Sequence, residues 1–171
     1  MDIMDTIKDR YSCRAYQAKP IEPEKLSILI EAARLAPSAR NIQDWRFVIV
    51  TDAEKRRSLQ SAAANQPFVD QAPVVIAACS CTNKRMNLCG QPYASINVSI
   101  ALEHIALAAT SLGLATCWIG SFKPYSVREI LNIPADIEIV ELMTVGYPAD
   151  KRISPKRLPA DQIACYEKWN F

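Results

Sequence analysis

At 171 residues, half of them hydrophobic, the chain is long enough for one domain with a sizeable core and short for two. Its net charge of +2, with acids and bases interspersed, lacks the basic stripe of a nucleic-acid-binding surface, so no nucleic-acid partner is expected. The acidic start Met1-Asp2-Ile3-Met4-Asp5 is unlike a secretory signal, and no apolar run approaches the ~20 residues of a membrane span. A soluble, cytoplasmic protein without a membrane partner is expected.

In chain order, Ile3, Met4 and Ile7 share one face of a short helix over residues 2–10. Pro23 suits the first turn of a second helix, because its missing N–H costs nothing there. Leu26, Leu29, Ile30 and Ala33 recur at helical spacing over 24–35, and Pro37 stops the run. A strand is predicted over 46–51, a charged surface helix over 53–64, and a second strand over 73–80, apolar throughout and therefore central. Residues 93–112 read as a helix apolar nearly all round, which must be buried on most sides, and a second subunit is the economical cover. Gly113 ends it in the left-handed conformation that needs no Cβ. A strand over 115–119, a short helix over 126–131, a strand over 137–145 and a terminal helix over 161–169 complete an α+β pattern, with no repeat or internal boundary in residues 1–171.

Six cysteines stand at 13, 79, 81, 89, 117 and 165. Cys79-Ser80-Cys81, with Cys89 beyond, lacks paired C-x-x-C spacing, so no metal site is expected and reduced thiols are the default. The lone His104, inside the apolar helix, reads as a satisfied buried or interface group, and no hydrolase triad can be assembled around it.

Two polar segments carry the chemistry. Arg10-Tyr11-Ser12-Cys13-Arg14 offers two guanidinium forks and a hydroxyl, a set suited to phosphate, although each Arg alone could be a solvated or ion-paired charge. Pro37-Ser38-Ala39-Arg40-Asn41-Ile42-Gln43-Asp44-Trp45 places two amides between a helix end and a strand entrance, suited to sugar hydroxyls or a heterocycle edge, or to capping a turn. Together they suggest a nucleotide-like cofactor. No G-x-G-x-x-G fingerprint indicates a Rossmann site.

With Gly113-Leu114-Ala115-Thr116-Cys117-Trp118-Ile119-Gly120 and Val145-Gly146-Tyr147-Pro148, these segments resemble, in order and spacing, the FMN-dependent nitroreductase family over about residues 3–159. The resemblance implies an α/β sandwich with a central, mostly antiparallel sheet flanked by helices, forming an intertwined homodimer with FMN at the interface. It implies phosphate ligands at Arg10, Ser12 and Arg157, and a cation at Arg14 toward the flavin's pyrimidine edge. Pro37, Ser38, Asn41 and Gln43 match a loop given by the other subunit. Ile119 and Gly120 match the segment by flavin N5, and Asn65 and Gln66 the ribityl or ring edge. No side chain is expected to act as acid or base, since the flavin carries the chemistry.

The implied activity is a ping-pong NAD(P)H-dependent reduction of a nitroaromatic or quinone through flavin N5. Alternatives are a flavin-binding dimer without turnover, or a same-fold enzyme of reductive dehalogenation or flavin fragmentation. Three departures stand out: Tyr11 where Arg or His is usual, Asp44 where Pro usually precedes the Trp, and a short segment over 82–92. Asp44 is expected to loosen its loop or to charge the site mouth.

Overall fold

Alternation along one buried strand organises the molecule. In the computed structural model, which describes residues 2–82, 86–151 and 156–171, strand β2 (Val74–Ser80) is buried along its whole length. Its residues 75, 77 and 79 enter one apolar cluster and 74, 76 and 78 the other, as a period of two requires. With β1 (Trp45–Val50), β3 (Ala115–Ile119) and β4 (Glu138–Gly146) it forms a sheet of order β1-β2-β4-β3, antiparallel throughout. A register shift opposite Ala78 and Cys79 puts Ile139 and Met143 on opposite faces, although they are an even number of residues apart.

One face is covered by α3 (Ala53–Ala62), α4 (Pro67–Gln71) and α6 (Pro124–Leu131), through Leu59, Phe68, Val69 and Val127. The other is covered by α2 (Pro23–Arg34) and the long α5 (Tyr93–Ser111), through Leu29, Val98, Leu102 and Ile105. Burying each such aliphatic contributes roughly 1.5–3 kcal/mol. Gly113 sits beyond α5 at φ 74°, the left-handed geometry its sequence position suggests. The first helix, α1 (Ile3–Asp9), lies against α5 but leaves Ile3, Met4 and Ile7 exposed.

One expectation fails. Residues 161–169 are not a helix: only a 3-10 turn, Ala160–Gln162, forms, and the segment lies open to solvent apart from the half-buried Cys165. The cause is that a short helix needs a surface for its apolar stripe, and this one has none within the chain. Conversely α4 escapes the sequence reading, being too short for a periodic signal; Pro67 in its first turn was its one mark. Among the described residues no helix is long and apolar enough to cross a membrane.

Candidate functional site

The Arg10–Arg14 segment leaves α1 extended and is sewn between two neighbours. On one side Ser12 bridges Thr116 in parallel, and the Cys13 N–H donates to the Thr116 carbonyl at 3.0 Å. On the other, the Tyr16 hydroxyl meets Thr144 Oγ1 at 2.8 Å, and the Ala149 and Gln17 N–H groups bond Ala15 and Tyr147 carbonyls at 2.8 and 2.9 Å. Gly146 permits this approach: a Cβ there would stand 2.6 Å from Pro73 Cδ and 2.8 Å from Tyr16 Cδ1. The Val-Gly-Tyr-Pro segment thus positions the arginine segment.

Asp150 completes the fastening. Its Oδ2 accepts the Arg14 N–H at 2.9 Å, and its Oδ1 accepts the Tyr11 hydroxyl at 2.7 Å and the Cys13 thiol at 3.1 Å. Burial pushes this carboxyl up, but the hydrogen bonds from Arg14, Tyr11 and Cys13 outweigh it and hold it below the usual value. Burial, then the bond to Asp150, push the Tyr11 hydroxyl far up, so it stays a donor. Burial takes the Cys13 thiol up to about 11, which leaves it protonated and unreactive at neutral pH.

Arg10, Tyr11, Ser12, Arg14, Asp150, Lys151 and Arg157 line one cavity of about 470 Å³. Arg10 and Arg157, from opposite ends of the chain, therefore face one cavity. Arg10 is steadied by Glu103 of α5, with Nε 3.6 Å from Oε1. Three guanidiniums, an ammonium and a hydroxyl fit a phosphate dianion, and both Asp150 oxygens are already engaged by protein donors. Sequence reasoning missed Asp150 and Lys151; their only signal was a charged pair one residue beyond Gly-Tyr-Pro.

The second polar segment forms a tight loop over residues 37–43, with a 3-10 turn at Ala39–Asn41. Arg40, Asn41 and Gln43 have φ of 53°, 56° and 49°. Non-glycine residues held there cost of order 1–3 kcal/mol each, less for Asn, and persist only where the surroundings dictate them. Here Ser38 Oγ accepts the Gln43 N–H at 3.0 Å, and Asn97 Oδ1 of α5 accepts the Ala39 N–H at 3.0 Å. Pro37, Asn41 and Gln43 are exposed and Ser38 half-buried. The expectation for Asp44 is overturned: its carboxylate is buried and hydrogen-bonded, not at the site mouth, and it anchors the loop rather than loosening it.

The loop does not line the cationic cavity. Ala39 hangs on Asn97, whereas Arg10 faces Glu103, about 9 Å further along α5 and roughly 120° round its axis. Within one chain the two halves lie on different sides of that helix.

Ile119 is buried at the end of β3, and Gly120 just beyond it is exposed. A Cβ on Gly120 would stand 3.4 Å from Glu141 Oε1 and 3.8 Å from Oε2, so the Glu141 carboxylate lies beside this backbone, and Gly120 adds no side chain of its own. Burial pushes the Glu141 carboxyl up. The Ala62 carbonyl accepts the Lys123 N–H at 2.9 Å, which sets the turn between α3 and α4 beside the segment after Gly120. Asn65 is exposed in that turn at φ 55°, while the Gln66 side chain is spent on the Ala63 carbonyl at 3.0 Å.

The remaining polar groups are structural. His104 Nδ1 lies 3.1 Å from the Ala32 carbonyl, joining α5 to α2. Cys79 and Cys117 are buried, and burial raises both thiols, Cys79 to about 11. Among the described residues no His, Cys, Asp and Glu side chains gather as a metal site.

The fold is shared with known proteins. A family model described as the nitroreductase family matches residues 7–67 and 58–147. The chain is similar to an FMN reductase (NAD(P)H) of Bacillus subtilis strain 168, 29% identical over 95% of this chain and 72% of that one. Among solved structures it resembles a nitroreductase family protein of Clostridium difficile 630, with TM-score 0.87 and 31% identity over 99% of this chain and 100% of the other. It also resembles the NADPH:FMN oxidoreductase of Vibrio harveyi complexed with NAD+, with TM-score 0.90 and 26% identity over 99% of this chain and 78% of that one.

Proposed function

The chain belongs to the nitroreductase family, and from that premise we propose a homodimeric NAD(P)H-dependent oxidoreductase that binds FMN between its subunits and reduces nitroaromatics or quinones. The single observation that carries the reading is the cationic cavity, where Arg10, Ser12, Arg14, Lys151 and Arg157 converge from both ends of the chain. FMN held there would supply the hydride chemistry between NAD(P)H and the acceptor, in a ping-pong sequence.

The protein's part is to bind, orient and bias. Arg10, Ser12 and Arg157 hold the phosphate, and Arg14, fixed by Asp150, provides a positive charge for the flavin's pyrimidine edge, where reduction places negative charge. Ile119 and Gly120 offer backbone to the ring, with the Glu141 carboxylate beside Gly120, and the turn between α3 and α4 that carries Asn65 and Gln66 lies next to the segment after Gly120. Pro37, Ser38, Asn41 and Gln43 of a second copy supply the other wall. Two observations support a second copy: the loop and the cavity lie on different sides of α5, and Ile3, Met4, Ile7 and the C-terminal aromatic residues are exposed.

The test is FMN titration followed by anaerobic addition of NADH or NADPH, with nitroaromatic and quinone acceptors tried with and without oxygen. The wild type should bind FMN and its visible band should bleach with the nucleotide. Arg14→Ala should weaken FMN binding by about tenfold or more, the weight of a charge-assisted hydrogen bond, and slow the bleaching. Unchanged affinity and rate would remove Arg14 from the site. A protein that takes up no FMN would overturn the reading.

A further inference from the structure

Asp44 is 2% exposed, at the end of the sheet where β1 begins. Its Oδ1 accepts the Asn97 Nδ2–H at 2.6 Å, and its Oδ2 accepts the Ser80 hydroxyl at 2.6 Å. Ser80 Oγ in turn lies 2.9 Å from Thr82 Oγ1 and accepts the Thr82 N–H at 3.3 Å. The Asp44 backbone carbonyl accepts the Cys81 N–H at 3.0 Å. No cation among the described residues pairs with this carboxylate, so it is a desolvated charge satisfied by neutral donors, a costly choice for a core position.

What the carboxylate provides is direction. Asn97 is wholly buried, and its side chain could present either its oxygen or its NH2 to the Ala39 N–H. A carboxylate only accepts, so Asp44 takes the NH2 and turns the carbonyl oxygen toward Ala39. An apolar residue at position 44 would leave the buried Asn97 NH2 without its acceptor, so that the Ala39 N–H alone would hold the amide. Ala39 directly precedes Arg40 and Asn41, the start of the left-handed run.

We propose that Asp44 is a positioning residue, which through Asn97 holds the loop over residues 37–43 in the strained shape that receives the flavin. The inference rests on that loop being a cofactor-binding segment. In Asp44→Asn the new amide can still accept from Asn97 and donate to Ser80, so that variant should stay within about threefold of wild-type FMN affinity. Asp44→Ala and Asn97→Ala should each raise the FMN Kd by about tenfold, and the double variant should be no worse than either single, because one chain of bonds is cut twice. Hydrogen exchange of the apo-protein should show faster exchange over residues 38–43 in both alanine variants and not in Asp44→Asn.

Gln43→Ala separates the two ideas. If Gln43→Ala weakens FMN binding while folded Asp44→Ala and Asn97→Ala bind as the wild type does, the positioning role is wrong and the loop assignment stands. If Gln43→Ala and Asn41→Ala also leave FMN affinity unchanged, the loop is no cofactor segment and the inference falls with it. Should Asp44→Ala not fold, Asn97→Ala, which keeps the carboxylate, gives the same decision.

Discussion

At the scale of residues, the fastening of Arg14 depends on one carboxylate staying ionised. Because Asp150 is held below its ordinary value in the folded chain, folding favours its charged form. That contribution is complete above the unfolded carboxylate range, about 3.9, and is lost as pH falls through the depressed folded value. Glu22, drawn down to about 2 by the Tyr147 hydroxyl, has the same sign, so acid sensitivity of the wild type alone would not identify Asp150. The stability difference between wild type and Asp150→Asn isolates it, since Glu22 is common to both. Denaturant midpoints measured between pH 7 and 2 should show a difference that is constant above about pH 5 and shrinks below it. A difference independent of pH would mean that Asp150 acts through shape alone. Arg10, Ser12 and Arg14 stood together in the sequence as one compact segment, whereas Arg157 was expected beside them only from the family resemblance, and all four line one cavity. Asp150, Asn97 and the true role of Asp44 were not legible, because their partners lie far along the chain and only the fold brings them together.

Elements tell a similar story, with the sheet as the exception that reads well. Strands β1 to β4 and helices α2 and α5 were legible because their apolar periods match the surfaces they meet. The terminal segment misled for the same reason. Ile163, Tyr166 and Trp169 fall at helix-like spacing, yet Trp169 is 81% exposed, and spacing cannot say whether a surface exists to receive the stripe. Nor does sequence show which glycine is sterically required. Gly146 is, because Pro73 and Tyr16 occupy the space of a Cβ and Tyr16 is itself tied to Thr144 and the Cys13 carbonyl. Gly146→Ala should cost about 1–3 kcal/mol in denaturant unfolding, the usual penalty of overpacking. It should also weaken FMN binding, because the segment that Tyr16 anchors carries Arg14. A change within about 0.5 kcal/mol would show that Pro73 and Tyr16 give way, and the link from Gly-Tyr-Pro to the arginine segment would then be loose.

For the whole molecule, the question is what covers the apolar surface that one chain leaves bare. Ile3, Met4 and Ile7 on α1, and Leu158, Ile163, Tyr166, Trp169 and Phe171 in the C-terminal segment, are all exposed. So many large apolar side chains are unusual on a monomer and typical of a surface that meets another protein. In the proposed dimer a second copy would cover this surface and complete the divided site, since Arg157 lies at the root of the same segment and lines the cationic cavity. The two should therefore fail together. Removing residues 160–171 should move the protein in sedimentation from twice its 19.1 kDa toward a single chain at micromolar concentration, and FMN affinity should fall in step, because each site would lose the loop of the other copy. If the shortened chain stays dimeric and binds FMN normally, the C-terminal segment is no part of the interface, and α1 with the open side of α5 must carry it alone. If the full chain is monomeric at micromolar concentration and yet saturates with FMN, the cationic cavity suffices by itself. The loop over residues 37–43, with its strained backbone and buried Asp44 clamp, would then have to serve something other than the flavin.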